Sequence, residues 1–245
     1  MMTTERWLGV LGGMGPAATA DFLLRLARLT PATRDQDHLP SVVYSDPQTP
    51  DRSDAILGRG PSPLPALLRG IEFLNRAGCA LIAIPCNSAH HWYQQMAEHS
   101  NVPILHIADA AAGRLQGRPA VRTVGVLATD GTIRSRIYQP RLDTAGIATL
   151  DLSGLGAANP VMRGIRAMKA GQAAMARETL RTAGQQLVGR GAQALLLACT
   201  DVSAALAGVT EINGTPVVDA SDCLAQACLD RLRDQPPEST QERGG

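Results

Sequence analysis

The chain contains a single lysine. All the other basic residues in its total of 23 lysines and arginines are arginines, so Schiff-base chemistry, including that of pyridoxal phosphate, would have to run through Lys169 alone. Paired cysteines are missing too. Cys79, Cys86, Cys199, Cys223 and Cys228 form an odd, scattered set without a Cys-x-x-Cys spacing, which argues against a disulfide framework or a structural zinc site and fits a reducing cytosol. No basic stripe with interleaved aromatics occurs and the formal net charge is only +1. Neither a nucleic acid nor an acidic membrane surface is therefore indicated as partner, and a small neutral or zwitterionic ligand stays open. No segment approaches the roughly 20 apolar residues of a membrane span. Glu5-Arg6 gives the N-terminus no positive leader and Gly12-Gly13-Met14-Gly15-Pro16 interrupts its apolar run, so this region reads as a first buried strand and not as a signal peptide.

What is present is an alternation of short apolar runs and longer amphipathic stretches. Trp7–Leu11, Ser41–Tyr44, Ala80–Ile84, Val102–Leu105, Thr123–Leu127, Ala194–Ala198 and Pro216–Val218 read as buried strands. Ala17–Leu29, Leu64–Ala77 and Ala173–Val188 carry helical spacing. The pattern predicts an α/β fold with mostly parallel strands. A chain of 245 residues can bury a large core, as one domain or as two packed units. The polar, Pro/Gly-rich residues 235–245 are expected to be a frayed tail.

The two halves resemble each other. GCALIAIPCNS from Gly78 aligns without a gap on GAQALLLACTD from Gly191, and Cys86 and Cys199, Pro103 and Pro216, and Asp109 and Asp222 are each 113 residues apart. LGVLGGMGP near Leu8 echoes VGVLATDGT near Val124, shifted by a few residues from that period. The expectation is one duplicated unit, giving two pseudo-symmetric parallel-sheet α/β domains with a cleft between them. Residues 1–112 with 215–234 form the first and residues 113–214 the second. Parallel α/β sheets bind ligands at the carboxyl ends of their strands, where Cys86 and Cys199 both fall. Two thiols would then face one ligand from opposite sides.

His90 and His91 follow Cys86 closely, but on a helix from residue 88 they point away from a strand-end thiol, so a Cys-His dyad is disfavoured. A metal site built from Cys86, His90 and His91 lacks matching spacing elsewhere. Symmetry favours inversion of a stereocentre instead. Removing a proton from one face of a carbon and delivering one to the other requires two acid/base groups, and thiols serve if one is held as thiolate, which a helix N-terminus promotes, and its partner as thiol. Without a cofactor the carbanion has to be stabilised by hydrogen bonds and exclusion of water. Strand-end amides with Asn87, Ser88 and Thr200 are the available donors, and Asp201 is placed to accept from a substrate ammonium.

With these pieces assembled, the chain resembles the aspartate/glutamate racemase family, the cofactor-independent amino-acid racemases, most closely its aspartate racemase branch. The matching motifs are LGGMGP at 11–16, RDQDH at 34–38, DPQTPDR at 46–52, PCNSAH at 85–90, ATDGT at 128–132, VMRGI at 161–165, MKAG at 168–171 and ACTD at 198–201. They stand in the family's order over nearly the whole chain. The resemblance implies two pseudo-symmetric α/β domains, an active site between them, a homodimer, and no metal or cofactor. It makes Cys86 and Cys199 the catalytic pair and assigns Arg52 and Lys169 to substrate carboxylates, which suits a dicarboxylic amino acid. Ser88 stands where the family often has Thr and keeps the hydroxyl. Asp201 stands where it often has Glu, withdrawing the carboxylate by about a methylene and leaving the choice between aspartate and glutamate open.

The glycine turn at 12–16 fails the full dinucleotide pattern and is expected to line the substrate site with Met14. Gln48 is a candidate substrate contact. Thr129 and Thr132 sit in the second copy's equivalent turn, where they offer hydroxyls to the ligand, with helix capping by Thr129 or Asp130 as the plainer alternative. Cys79, Cys223 and Cys228 are expected to be packing residues. The reading is a cytoplasmic, cofactor-independent racemase of an acidic amino acid. A related cysteine-pair isomerase or decarboxylase of dicarboxylic acids and an inactive small-ligand-binding homologue are the alternatives.

Overall fold

The computed structural model describes residues 6–118 and 120–233; the expected tail at 235–245 lies outside them. The first unit runs β1 (Leu8–Gly12), α1 (Pro16–Leu29), β2 (Ser41–Ser45), α2 (Arg52–Ile56), α3 (Leu64–Arg76), β3 (Leu81–Ala83), α4 (Tyr93–His99) and α5 (Ile107–Gln116). β1 is buried throughout because parallel neighbours flank it on both sides, in the order β2-β1-β3. α1 starts on a proline, which is preset for a first helical turn and has no amide hydrogen to leave orphaned. The turn before it is braced by the Gly13 amide donating to Thr19 Oγ1 at 2.9 Å. Gly13 has φ +89°, and a Cβ there would lie 2.3 Å from the Asp46 amide nitrogen, so only glycine lets this turn sit against the loop after β2.

The second unit continues with β4 (Thr123–Ala128), α6 (Asp130–Ser135), α7 (Gln139–Thr144), β5 (Ala148–Leu150), α8 (Pro160–Lys169), α9 (Ala173–Gly189), β6 (Ala194–Ala198), α10 (Thr200–Ala205), β7 (Glu211–Ile212), β8 (Thr215–Asp219) and α11 (Ala220–Arg233). Its sheet order is β5-β4-β6-β8-β7, parallel except for the β7–β8 pair. The first three strands of each unit therefore share one topology, with the leading strand in the centre.

The duplication extends to individual pairings. Ile82 bridges Ile104 in parallel, and 113 residues on, Leu195 pairs with Val217 in parallel. The bridge is braced by the Ile82 amide donating to Pro103 O and the Leu105 amide donating to Ile82 O. Val102–Leu105, expected as a strand, is thus a single bridge, whereas its repeat equivalent is the full strand β8. The difference is β7, which pairs with β8 on its far side and so extends the second sheet.

The expected boundary at 215 needs a correction. β8 hydrogen-bonds to β6 and belongs to the second sheet, as the repeat itself requires. Only the helix after it crosses over, since α11 packs on α5 and α1. α5 and α11 are repeat equivalents lying against each other, which puts the pseudo-twofold axis between them. The largest core cluster accordingly joins Val10, Ala83 and Phe22 of the first unit to Val126, Leu196, Val218 and Leu224. Separate clusters fill the outer faces, under α3 and α4 and under α8, α9 and α10.

Candidate active site

After β3 the chain turns tightly, with the Cys86 amide donating to Ile84 O at 2.8 Å. Proline suits the centre of such a three-residue turn because its φ is already near that geometry and it has no amide hydrogen to satisfy. The turn leaves Cys86 at the head of a 3₁₀ segment, Ser88–Trp92, with its sulfur 3.7 Å from Ser88 Oγ. His90 does not face the thiol. Its Nδ1 lies 2.9 Å from Cys86 O and its Nε2 accepts from the Ile107 amide at 3.2 Å, so the ring is neutral with Nδ1 donating to the carbonyl. Burial, the largest influence, pushes its pKa down to about 4. His90 braces the Cys86 backbone and is no base for its sulfur; His91 is exposed against the edge of Trp92.

On the other side β6 runs directly into Cys199, the N-cap of α10. A helix N-terminus favours a thiolate, yet here the opposite wins. Burial, followed by the Asp201 carboxylate, pushes the Cys199 thiol up to about 12, against the opposing amides of Asp201 and Val202. Cys199 is therefore a thiol at neutral pH, with a thiolate fraction of only about one in 10⁴ at pH 8. Its alkylation by iodoacetamide, followed by peptide mass spectrometry, is expected to accelerate about tenfold per pH unit from pH 8 to 11. A rate that levels off below pH 10 would contradict this protonation state.

Both cysteines line one cavity of about 40 Å³, together with Met14, Arg52, Asn87, Ser88, Thr129, Thr132, Lys169, Thr200 and Asp201. Gln48 does not line this cavity; it is exposed, with its backbone amide donating to Asp46 Oδ1. Asp51, Ser53 and Ala198 also line the cavity without having been singled out. The duplication pointed to Ala198, the last residue of its strand, and Asp51 and Ser53 flank Arg52.

Two donors in this wall have no partner among the described residues. Arg52 spends Nη1 on Thr49 O and Pro50 O at 3.1 and 3.0 Å and Nη2 on Met14 O at 3.2 Å. Its Nε is buried and unpaired. The amide oxygen of Asn87 accepts from the Tyr138 hydroxyl, which turns Nδ2 the other way, buried and equally unpaired. A buried orphan donor costs about 1–3 kcal/mol, and both of these belong to residues that line the cavity. Burial raises the Asp201 carboxyl above the ordinary carboxylate value, opposed by Lys169 and Arg52, so these three groups form a mixed-charge patch.

The two units touch over this cavity. Ser53 Oγ donates to Thr129 Oγ1 at 3.0 Å, and a Cβ on Gly131 would come 2.6 Å from Ser53 Cα, so glycine permits α2 and α6 to close on each other. Thr129 also caps α6, accepting from the Thr132 amide at 3.1 Å, so capping and cavity lining coexist in one residue. The space between the two cysteines' strand ends is small, about 40 Å³.

A duplicated α/β protein with a cysteine at the matching strand end of each half, both on one closed cleft, is a defined class. A profile of the Asp/Glu/Hydantoin racemase family matches residues 11–228, and the chain belongs to that family. It is 31% identical over 226 residues, 91% of this chain and 96% of the other, to the broad specificity amino-acid racemase RacX of Bacillus subtilis (strain 168). Among solved structures it is similar to an aspartate racemase of Picrophilus torridus, with TM-score 0.82 and 32% identity over 93% of this chain and 94% of that one. The fold is shared by a glutamate racemase of Francisella tularensis subsp. tularensis SCHU S4 in complex with D-glutamate, with TM-score 0.68 and 17% identity over 94% and 82% of the two chains.

Among the described residues no group of three or more His, Cys, Asp or Glu side chains is placed to hold a metal ion. No helix among them is long and apolar enough to cross a membrane.

Proposed function

We propose that the protein interconverts the L and D forms of an acidic amino acid by a two-base mechanism in which Cys86 and Cys199 act on opposite faces of the α-carbon. The observation that carries this reading is the pairing of the two thiols with the orphan donors Arg52 Nε and Asn87 Nδ2 around one cavity. In one direction the Cys86 thiolate takes the α-hydrogen as a proton, so that a C–H bond breaks and an S–H bond forms. The electron pair delocalises into the substrate carboxylate, where the two orphan donors stabilise it. The Cys199 thiol, protonated at rest, then delivers its proton to the other face. The opposite enantiomer is bound with the two sulfurs exchanging roles.

Lys169 supplies a second cation for a side-chain carboxylate, and Asp201 accepts from the substrate ammonium. A wider substrate range is the second reading, and the similarity to the broad specificity amino-acid racemase RacX favours it. The family resemblance adds a homodimer, and the five free thiols suit a cytoplasmic location.

The test is incubation of both enantiomers of an amino-acid panel in deuterium oxide, following optical rotation and α-deuterium. Racemisation predicts inversion with solvent deuterium at Cα, fastest for aspartate or glutamate. Carbon dioxide release would identify the decarboxylase alternative, and exchange with none of the panel a binding protein.

A further inference from the structure

A second cavity lies outside the cysteine cleft. A cavity of about 430 Å³ lies where α1, α5, β8 and α11 meet, lined by Arg25, Arg28, Arg114, Arg118, Asp219 and Asp222 over an apolar floor of Leu29, Val217 and Val218. Its volume is about ten times that of the cysteine cleft and falls within the range of about 300–1,000 Å³ typical of small-molecule sites.

The arginines divide into two kinds. Arg25 is buried and committed, contacting Asp21 and Asp222 at 2.6 Å and Asp219 at 2.8 Å. One guanidinium thus offsets one of the three carboxylate charges it contacts. Arg28, Arg114 and Arg118 have no hydrogen-bond or ion-pair partner among the described residues. Arg28 on α1, Arg114 on α5 and Arg118, two residues past α5, bring three unpartnered guanidinium groups to one concave wall, where an anion finds several charged donors at once. The guanidinium fork matches the planar or tetrahedral oxygens of a carboxylate or phosphate. Asp222, half-exposed, opposes a bare anion but accepts from a hydroxyl or amine. The ligand class is therefore organic and substituted, with carbon to cover Leu29 and Val217.

We propose that this cavity is a second ligand site, separate from the cysteine cleft, that binds a small organic dianion, either a phosphate monoester or a dicarboxylate. It is a binding site and not a second reaction centre. The one nucleophile in its wall, Cys223, has its thiol pushed up to about 12 by burial and by Asp219 and Asp222. It also shares a wall with the catalytic half. Asp219 Oδ1 accepts from Ser203 Oγ at 2.9 Å, and the Ser203 amide donates to Cys199 O at 2.9 Å.

The experiment is calorimetric titration of inorganic phosphate, and separately of succinate, at ionic strength held constant with chloride. It compares the wild-type protein with Cys86→Ser, Arg28→Gln and the double variant Arg114→Gln/Arg118→Gln. The expected result is saturable binding of at least one anion, kept in Cys86→Ser and weakened about tenfold or more in the double variant. The exposed, unpartnered arginines can be replaced without loss of fold, which circular dichroism checks, and Arg28→Gln gives an independent reading of the same wall. Phosphate binding alone would identify a phosphoryl ligand and succinate binding alone a dicarboxylate. Absence of saturable binding, or binding unchanged in both arginine variants, would overturn the proposal.

Discussion

Replacing either Cys86 or Cys199 with serine is expected to lower racemisation by about 10³–10⁴-fold, the scale of a lost general acid or base. An alcohol is a far weaker acid than a thiol, so serine neither holds the anionic form nor returns a proton at a useful rate. The two losses should not multiply in the double variant, because the pair acts as one unit in each turnover. Each single variant retains one functioning face. In deuterium oxide Cys199→Ser should wash out the α-hydrogen of one enantiomer without inversion, whereas Cys86→Ser, left with a thiol that burial keeps protonated at neutral pH, should exchange the opposite enantiomer far more slowly. Chiral chromatography coupled to mass spectrometry reads both quantities. A serine variant within about tenfold of wild type would remove its cysteine from the mechanism.

The second large effect is expected at Arg52. Arg52→Ala removes the unpaired Nε and the bonds to Met14 O, Thr49 O and Pro50 O. A missing donor to developing negative charge lowers turnover by about 10²–10³-fold, and the freed carbonyls loosen the wall between the glycine turn and the loop at 49–50. Arg52→Lys keeps the charge but not the fork, since one ammonium cannot serve three carbonyls and a substrate. It should recover less than half of the loss on a logarithmic scale. If charge alone mattered, Arg52→Lys would restore kcat/KM nearly in full, and steady-state kinetics decides between the two.

Much of the fold was legible because buried parallel strands write themselves as short continuous apolar runs. β6 spans the same residues as the run Ala194–Ala198, and β1, β4 and β8 lie within a residue or so of theirs. Val102–Leu105 misled because its composition matches a strand, while the neighbour needed to extend it is absent in the first unit and present, as β7, in the second. β5 and β7 are too short and too exposed to show the apolar run. Residues 215–219 stay with the second sheet because β8 pairs with β6, and the chain crosses back only with the helix that follows.

The site divides in a similar way. Strand-end position and the repeated spacing drew attention to Cys86, Asn87, Ser88, Cys199, Thr200 and Asp201, and the family resemblance to Arg52 and Lys169, all of which line the cavity, whereas Gln48 does not. A polar loop residue next to a motif has no periodicity to say which way it faces, and Gln48 faces outward. Nor could local sequence foretell the roles of His90 and Arg52, because their partners, Ile107 and Met14, are 17 and 38 residues away.

What the amino-acid order determined by itself is the duplicated α/β unit and the placing of a cysteine at one strand end in each copy, since hydrophobic periodicity and a repeated spacing are local properties of a chain. What only the folded molecule decided is the state of those groups. Cys199 remains a thiol because burial and Asp201 outweigh the helix terminus ahead of it, and Arg25, Arg28, Arg114 and Arg118 share a cavity because two distant helices meet there. Desolvation and long-range charge depend on what surrounds an atom in space, and neighbours in sequence do not specify them.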